Sequence, residues 1–144
     1  MPPGPEGARA SGPLSPRHRL LAARAAYVAI VLLATLTSLE PSWDRAAAAQ
    51  RLTRAFERSL SWRDAIDGVR NVALFAGLGT VWVVTSLSGK VRAEIWRATL
   101  VGLALSALVE GLQAFSPVRT SSVVDLTTNT LGVLAGAVAT AVLL

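Results

Sequence analysis

The strongest constraint on this chain is a set of apolar stretches, each about as long as a membrane-spanning helix. Four of them, at about residues 20–39, 70–88, 95–115 and 123–144, contain few charged side chains. A helix needs roughly 20 apolar residues to cross the hydrocarbon core of a bilayer, because it rises about 1.5 Å per residue. The sequence therefore predicts an all-α, polytopic membrane protein, a bundle of four transmembrane helices within residues 20–144.

The segment before the first span differs in composition. Residues 1–19 are rich in proline, glycine and arginine, which predicts a disordered basic tail. A cleaved signal peptide is the alternative interpretation of the first apolar run. The polar segment 40–45 separates that run from the alanines that would suit cleavage, which favours an uncleaved helix. Arg24, near the start of the run, is expected to extend to the lipid head groups.

Between the first two spans, residues 43–62 have the pattern of an amphipathic helix. In a helix, Leu52, Phe56 and Leu60 would lie on one side. Arg51, Arg54 and Arg58 would lie on the opposite side. We expect this helix to lie flat at the membrane surface, with Trp43 and Trp62 near its ends. Packing against the protein's own loops is the alternative.

Composition excludes several kinds of function. Cysteine is absent, which rules out disulfides and thiolate chemistry, and the single histidine, His18, lies in the tail. We therefore expect no metal site and no cofactor. The net charge is +5, but the basic residues form no continuous face that would bind nucleic acid. The expected partner of the chain is the lipid bilayer.

Polar side chains gather at one side of the predicted membrane domain. Because successive spans alternate in direction, the loops at 40–68 and 116–122 lie on the same face. The polar residues at or next to that face are, in chain order, Asp67, Asn71, Glu110, Gln113, Arg119, Asp125 and Asn129. Ionisable residues inside a membrane usually face the bundle and pair with one another. The sequence thus predicts a helix-lined polar pocket, with Glu110 and Asp125 as partners of Arg119.

Spacing on the fourth span supports this interpretation. Asp125, Asn129, Gly132 and Gly136 share one helical stripe, and the two glycines form a G-x-x-x-G pair that permits close helix packing. The alternative is structural: Asp125 caps the helix, a role that Ser121 or Ser122 would serve equally well. Arginines around the first span favour a cytoplasmic N-terminus, which would place the polar residues at the outer face.

Three segments together resemble the VanZ-like family of bacterial integral membrane proteins. They are RTSSVVDLTTNTLGVLAG at 119–136, EGLQ at 110–113 and DGVRNVALFAGLG at 67–79. The chain departs from the family pattern at Ala76, where proline is frequent. The resemblance implies a multi-pass protein of the bacterial cytoplasmic membrane and a link with resistance to teicoplanin. Lipid-linked cell-wall precursors are the natural candidate ligands.

Three functional hypotheses follow. The first is a non-enzymatic envelope protein that binds a lipid-linked precursor or a glycopeptide through Arg119 and the neighbouring amides. The second is an intramembrane enzyme in which Glu110 or Asp125 acts as general acid or base. The third is an accessory subunit that works as an oligomer through the Gly132 and Gly136 face. The first is favoured, because no nucleophile with a paired base is visible.

Overall fold

The computed structural model describes residues 15–37, 39–56, 62–86, 88–118 and 122–144, without the side chains of 63–65. These residues form five α-helices and no strand. The helices are α1 (Pro16–Leu36), α2 (Arg45–Arg54), α3 (Trp62–Val84), α4 (Val91–Gln113) and α5 (Val123–Leu143). The predicted all-α class is confirmed.

In the described part of the chain, three helices are long and apolar enough to cross a membrane: α1, α4 and α5. The predicted second span corresponds to α3, which does not meet that criterion among the described residues. Its first turns lie well before residue 70 and include Asp67 and Arg70, which lower its apolar character. Four crossings are therefore not established by length and composition alone.

Helix α1 begins earlier than the sequence predicts. Ser15 caps it by accepting a hydrogen bond from the His18 N–H, and Pro16 occupies the first turn, where proline costs no hydrogen bond. Residues 16–19, expected in the tail, are therefore helical. Near the other end of α1, the Thr35 hydroxyl donates a hydrogen bond of 2.7 Å to the Val31 carbonyl.

The core is built on the pair α3 and α5, which run parallel. Thr80 lies beside Thr140, with 3.1 Å between their hydroxyl oxygens, and Gly68 lies beside Thr128 about three turns earlier. Helix α4 runs antiparallel to both. Buried apolar side chains from four helices fill the centre: Val31, Phe75, Leu78, Val83, Ala98, Leu105, Val133 and Ala137. Helices α1, α3, α4 and α5 thus pack around one shared hydrophobic core.

Glycines set the distance between α3 and α5. A β-carbon added to Gly132 would lie 2.7 Å from the Val72 carbonyl oxygen, and one added to Gly136 would collide with the backbone of Ala76. Both contacts are with main-chain atoms, which cannot rotate away. The glycine stripe predicted from the sequence is therefore in contact with α3 of the same chain.

Helix α2 is shorter than predicted and docks on the end of α4. Ala48 is buried, and the Arg51 guanidinium donates to the Ala114 carbonyl at 3.0 Å. The Trp43 and Phe115 rings lie 5.8 Å apart between centroids. One arginine of the expected polar face therefore contacts the protein, while Leu52 and Phe56 remain exposed. Leu60 and Arg58 lie outside the described residues, and Trp62 belongs to α3.

Candidate functional site

The start of α5 contributes a carboxylate that is not needed for capping. Ser122 is the N-cap: its hydroxyl accepts hydrogen bonds from the N–H groups of Val124 at 3.1 Å and Asp125 at 3.4 Å. Because Ser122 satisfies these N–H groups, they do not need the Asp125 carboxylate. It accepts a hydrogen bond of 3.4 Å from the Asn71 amide of α3.

Glu110 joins the end of α4 to the start of α5. Its carboxylate is mostly buried, and one oxygen accepts a hydrogen bond of 2.8 Å from the Ser122 main-chain N–H. A charge-assisted bond of this kind is short and strong. The carboxylates of Glu110 and Asp125 are therefore both at the N-terminal end of α5. Arg119, their expected partner, lies outside the described residues.

Asn129 occupies the most deeply buried polar position of the site. Its side chain is only 1% exposed, and its amide nitrogen donates to the Ser106 hydroxyl of α4 at 2.9 Å. The amide oxygen has no hydrogen-bond partner within the described part of the chain. An unsatisfied buried acceptor costs roughly 1–3 kcal/mol, so its presence calls for an explanation beyond stability.

Gln113 and Asp67 are placed differently from the other predicted residues. The Gln113 amide turns towards α1 and donates to the Thr35 carbonyl at 3.2 Å, so it ties α4 to α1. The Asp67 side chain is 62% exposed and lies 3.8 Å from the Arg70 guanidinium, one turn along α3. Asp67 therefore lies apart from the buried polar residues.

Four of the predicted side chains lie towards the same end of the bundle, and we call them the Glu110 group: Asn71, Glu110, Asp125 and Asn129. Asn71 and Asp125 contact each other, while Glu110 and Asn129 bond to Ser122 and Ser106. The four side chains are contributed by α3, α4 and α5 and offer carboxylate and amide groups in a mostly buried setting. Such a set suits recognition of a polar ligand by hydrogen bonding. Within the described ranges, no three His, Asp or Glu side chains are placed to hold a metal ion.

A second polar group lies at the opposite end and was not predicted. Arg24 turns inward: its Nε donates to the Thr85 hydroxyl at 2.8 Å, its Nη2 to the Trp82 carbonyl at 3.0 Å, and its guanidinium stacks 4.4 Å above the Trp82 ring. Glu94 lies 3.7 Å from it. Arg24 therefore does not extend away from the bundle, as the sequence suggested; its guanidinium lies against the end of α3 and the start of α4. The sequence signal was weak, since the partners are a tryptophan inside the second predicted span and an acid in the turn before the third.

The fold and the site define a class of protein: an all-helical membrane protein with polar groups held between its helices. The sequence model of the VanZ/LLP1 family matches residues 23–144. The chain belongs to this family, as the resemblance in its three motifs implied. Neither the curated proteins nor the solved structures give a match.

Proposed function

We propose that this chain is an envelope protein of the bacterial cytoplasmic membrane whose Glu110 group binds a polar ligand at the outer face. The ligand is a lipid-linked cell-wall precursor or a glycopeptide, and the expected phenotype is resistance to teicoplanin. The observation that supports the proposal is that α3, α4 and α5 contribute two carboxylates and two amides towards one end of an apolar bundle, each hydrogen-bonded to another helix or its cap.

The energetic cost of this arrangement supports a functional role. Polar groups between apolar helices cost free energy unless they are paired, and each ionisable residue in a span costs about 2.5–3.5 kcal/mol at mid-membrane, less near the interface. Ser122 already caps α5, so the Asp125 carboxylate is not required there. The Asn129 amide oxygen, without a partner in the described ranges, adds an acceptor in the same region.

The proposal includes α3 as a fourth crossing. Helix α3 runs parallel to α5 from the Gly68 and Thr128 contact to the Thr80 and Thr140 contact. That is about 18 Å along the axis at 1.5 Å per residue. If α5 crosses the bilayer, α3 lies at the same depth over this length. Asp67 and Arg70, both exposed at its start, then lie at the level of the head groups.

The third hypothesis of the sequence analysis receives less support. An oligomer built on Gly132 and Gly136 would need that face to be open to a second copy. Both glycines contact the backbone of α3 in the same chain. An accessory subunit would therefore have to associate through another face.

The test is teicoplanin susceptibility in a sensitive Gram-positive host, with membrane levels matched by immunoblot. We expect the wild type to raise resistance, and Asp125→Asn and Glu110→Gln to abolish it. Glu40→Gln is the matched control, because Glu40 is an exposed carboxylate in the loop next to the same end of the bundle. It is expected to protect like the wild type.

Other outcomes would contradict the proposal in distinct ways. Equal protection by all variants would make the Glu110 group structural. Failure of the wild type to protect at matched levels would refute the teicoplanin phenotype in that host. In that case, cross-linking of a photoreactive lipid-linked precursor to the wild type and to Asp125→Asn would test ligand binding separately. Equal cross-linking of both would refute the site itself.

A further inference from the structure

The end of the bundle opposite the Glu110 group contains a cleft, which we call the Arg24 cleft. It has a volume of about 330 Å³. Seven of the described residues line it, contributed by α1, by the end of α3 with the turn that follows, and by the start of α4: Arg17, Leu20, Leu21, Arg24, Thr85, Ser88 and Glu94. The lining thus combines basic, apolar and hydroxyl-bearing side chains with one carboxylate.

The charge in the cleft is positive after its internal pairs are taken into account. Glu94 is the only carboxylate among the described lining residues, and its side chain is 5% exposed. One oxygen accepts hydrogen bonds from Arg97 at 2.6 Å and from the Ser88 hydroxyl at 3.0 Å, so Arg97 already offsets its charge. Arg24 lies 3.7 Å from the other oxygen, so Arg17, Arg24 and Arg97 together accompany a single carboxylate and leave a surplus of positive charge.

Arg24 is held in a fixed orientation with donors to spare. Thr85, the Trp82 carbonyl and the Trp82 ring hold the guanidinium on one side. Within the described ranges, Nη1 of Arg24 has no hydrogen-bond partner, and Arg17 has neither a hydrogen bond nor an ion pair. A fixed, planar guanidinium loses little freedom when it binds, which suits phosphate oxygens.

The geometry of α1 favours an amphiphilic ligand. Arg17 and Arg24 are seven residues apart and so share one face, about 10 Å apart along the axis. Leu20 and Leu21 lie between them, and Leu21 is largely exposed. A phosphate between the two guanidinium groups would leave the rest of a lipid along these leucines.

We propose that the Arg24 cleft binds the phosphate of an anionic phospholipid, with Arg17 and Arg24 as donors and Leu20 and Leu21 against the glycerol and acyl region. The surplus of positive charge selects an anionic over a zwitterionic head group. This site is at the other end of the molecule from the Glu110 group and does not depend on the function proposed for that group.

The test is native mass spectrometry of the full chain in detergent, titrated with phosphatidylglycerol or phosphatidylcholine. We expect phosphatidylglycerol to be retained preferentially. Arg17→Gln is expected to weaken its binding by roughly tenfold, the effect of losing one charged hydrogen bond. Arg92→Gln is the matched control: it removes the same charge from an exposed position at the same end of the bundle, outside the cleft, and should bind like the wild type.

Three results would overturn the proposal. Equal retention of the two lipids would show that the head-group charge is not recognised. An equal loss of phosphatidylglycerol binding in Arg17→Gln and Arg92→Gln would show that only the net charge of the protein matters, not the cleft. If millimolar inorganic phosphate displaces phosphatidylglycerol, the acyl chains add nothing to binding, and the cleft is a site for free phosphate instead of a lipid.

Discussion

The close contact between α3 and α5 gives a quantitative prediction for Gly136→Ala. The added β-carbon meets the carbonyl oxygen, carbonyl carbon and α-carbon of Ala76, all of them backbone atoms. The contact is relieved only if the two helices separate. Overpacking of this kind costs about 1–3 kcal/mol, and the absence of a movable side chain places Gly136 near the upper value. Higher helix propensity returns up to about 1 kcal/mol, which leaves a net loss of about 2 kcal/mol.

Gly111→Ala is the matched control, because a β-carbon at that position of α4 meets no atom within 4 Å. It gains the same propensity without a clash, so it should be neutral or stabilised by up to about 1 kcal/mol. The difference between the two variants is then about 3 kcal/mol, measurable by equilibrium unfolding in mixed micelles of mild detergent and SDS. Equal stability of Gly136→Ala and Gly111→Ala would refute the close approach of α3 and α5.

Three further predictions concern individual hydrogen bonds and use the same unfolding assay. Ser106→Ala removes the partner of the Asn129 amide and should destabilise the fold by about 1–3 kcal/mol, with much of the loss recovered when Asn129→Leu is added; no recovery would refute the pairing. Arg24→Lys loses the planar fork over Trp82 and should cost about 1–2 kcal/mol; an unchanged stability would contradict the inward orientation of Arg24. Tyr27→Phe loses a hydrogen bond to a carbonyl of α3 and should cost about 1 kcal/mol; no change would argue against that contact.

Helical periodicity predicts which residues share a face but not which helix that face contacts. The stripe of Asp125, Asn129, Gly132 and Gly136 is correctly read from the spacing on α5. The spacing does not reveal that this stripe packs on α3, or that α3 and α5 run parallel, because any of the apolar spans could pack against it. The chain positions of α1, α4 and α5 were predictable for the same reason: length and hydropathy fix a span without reference to its surroundings.

Two side chains show where this reasoning fails. Asp67 was expected beside Asn71, and their spacing does put both on one side of α3. Asp67 nevertheless lies one turn nearer the start of the helix, where Gly68 approaches α5 and Asp67 is exposed beside Arg70. Arg24 was expected to extend to the head groups, as a long basic side chain near a helix start usually does. Its true partners, Thr85, Trp82 and Glu94, lie on other helices or next to their ends, and no local pattern identifies them.

The central claim is that α3 completes a four-helix membrane domain with the Glu110 group at its outer face. Because the chain has no cysteine, single cysteines at Glu40, Lys90 and Val118, which are all exposed, report the side of each loop without background. In intact cells, a membrane-impermeant maleimide should label Glu40→Cys and Val118→Cys, and Lys90→Cys only after permeabilisation. Labelling of Lys90→Cys from the same side as Glu40→Cys would show that α3 does not cross, and the fully reversed pattern would place the Glu110 group at the cytoplasmic face.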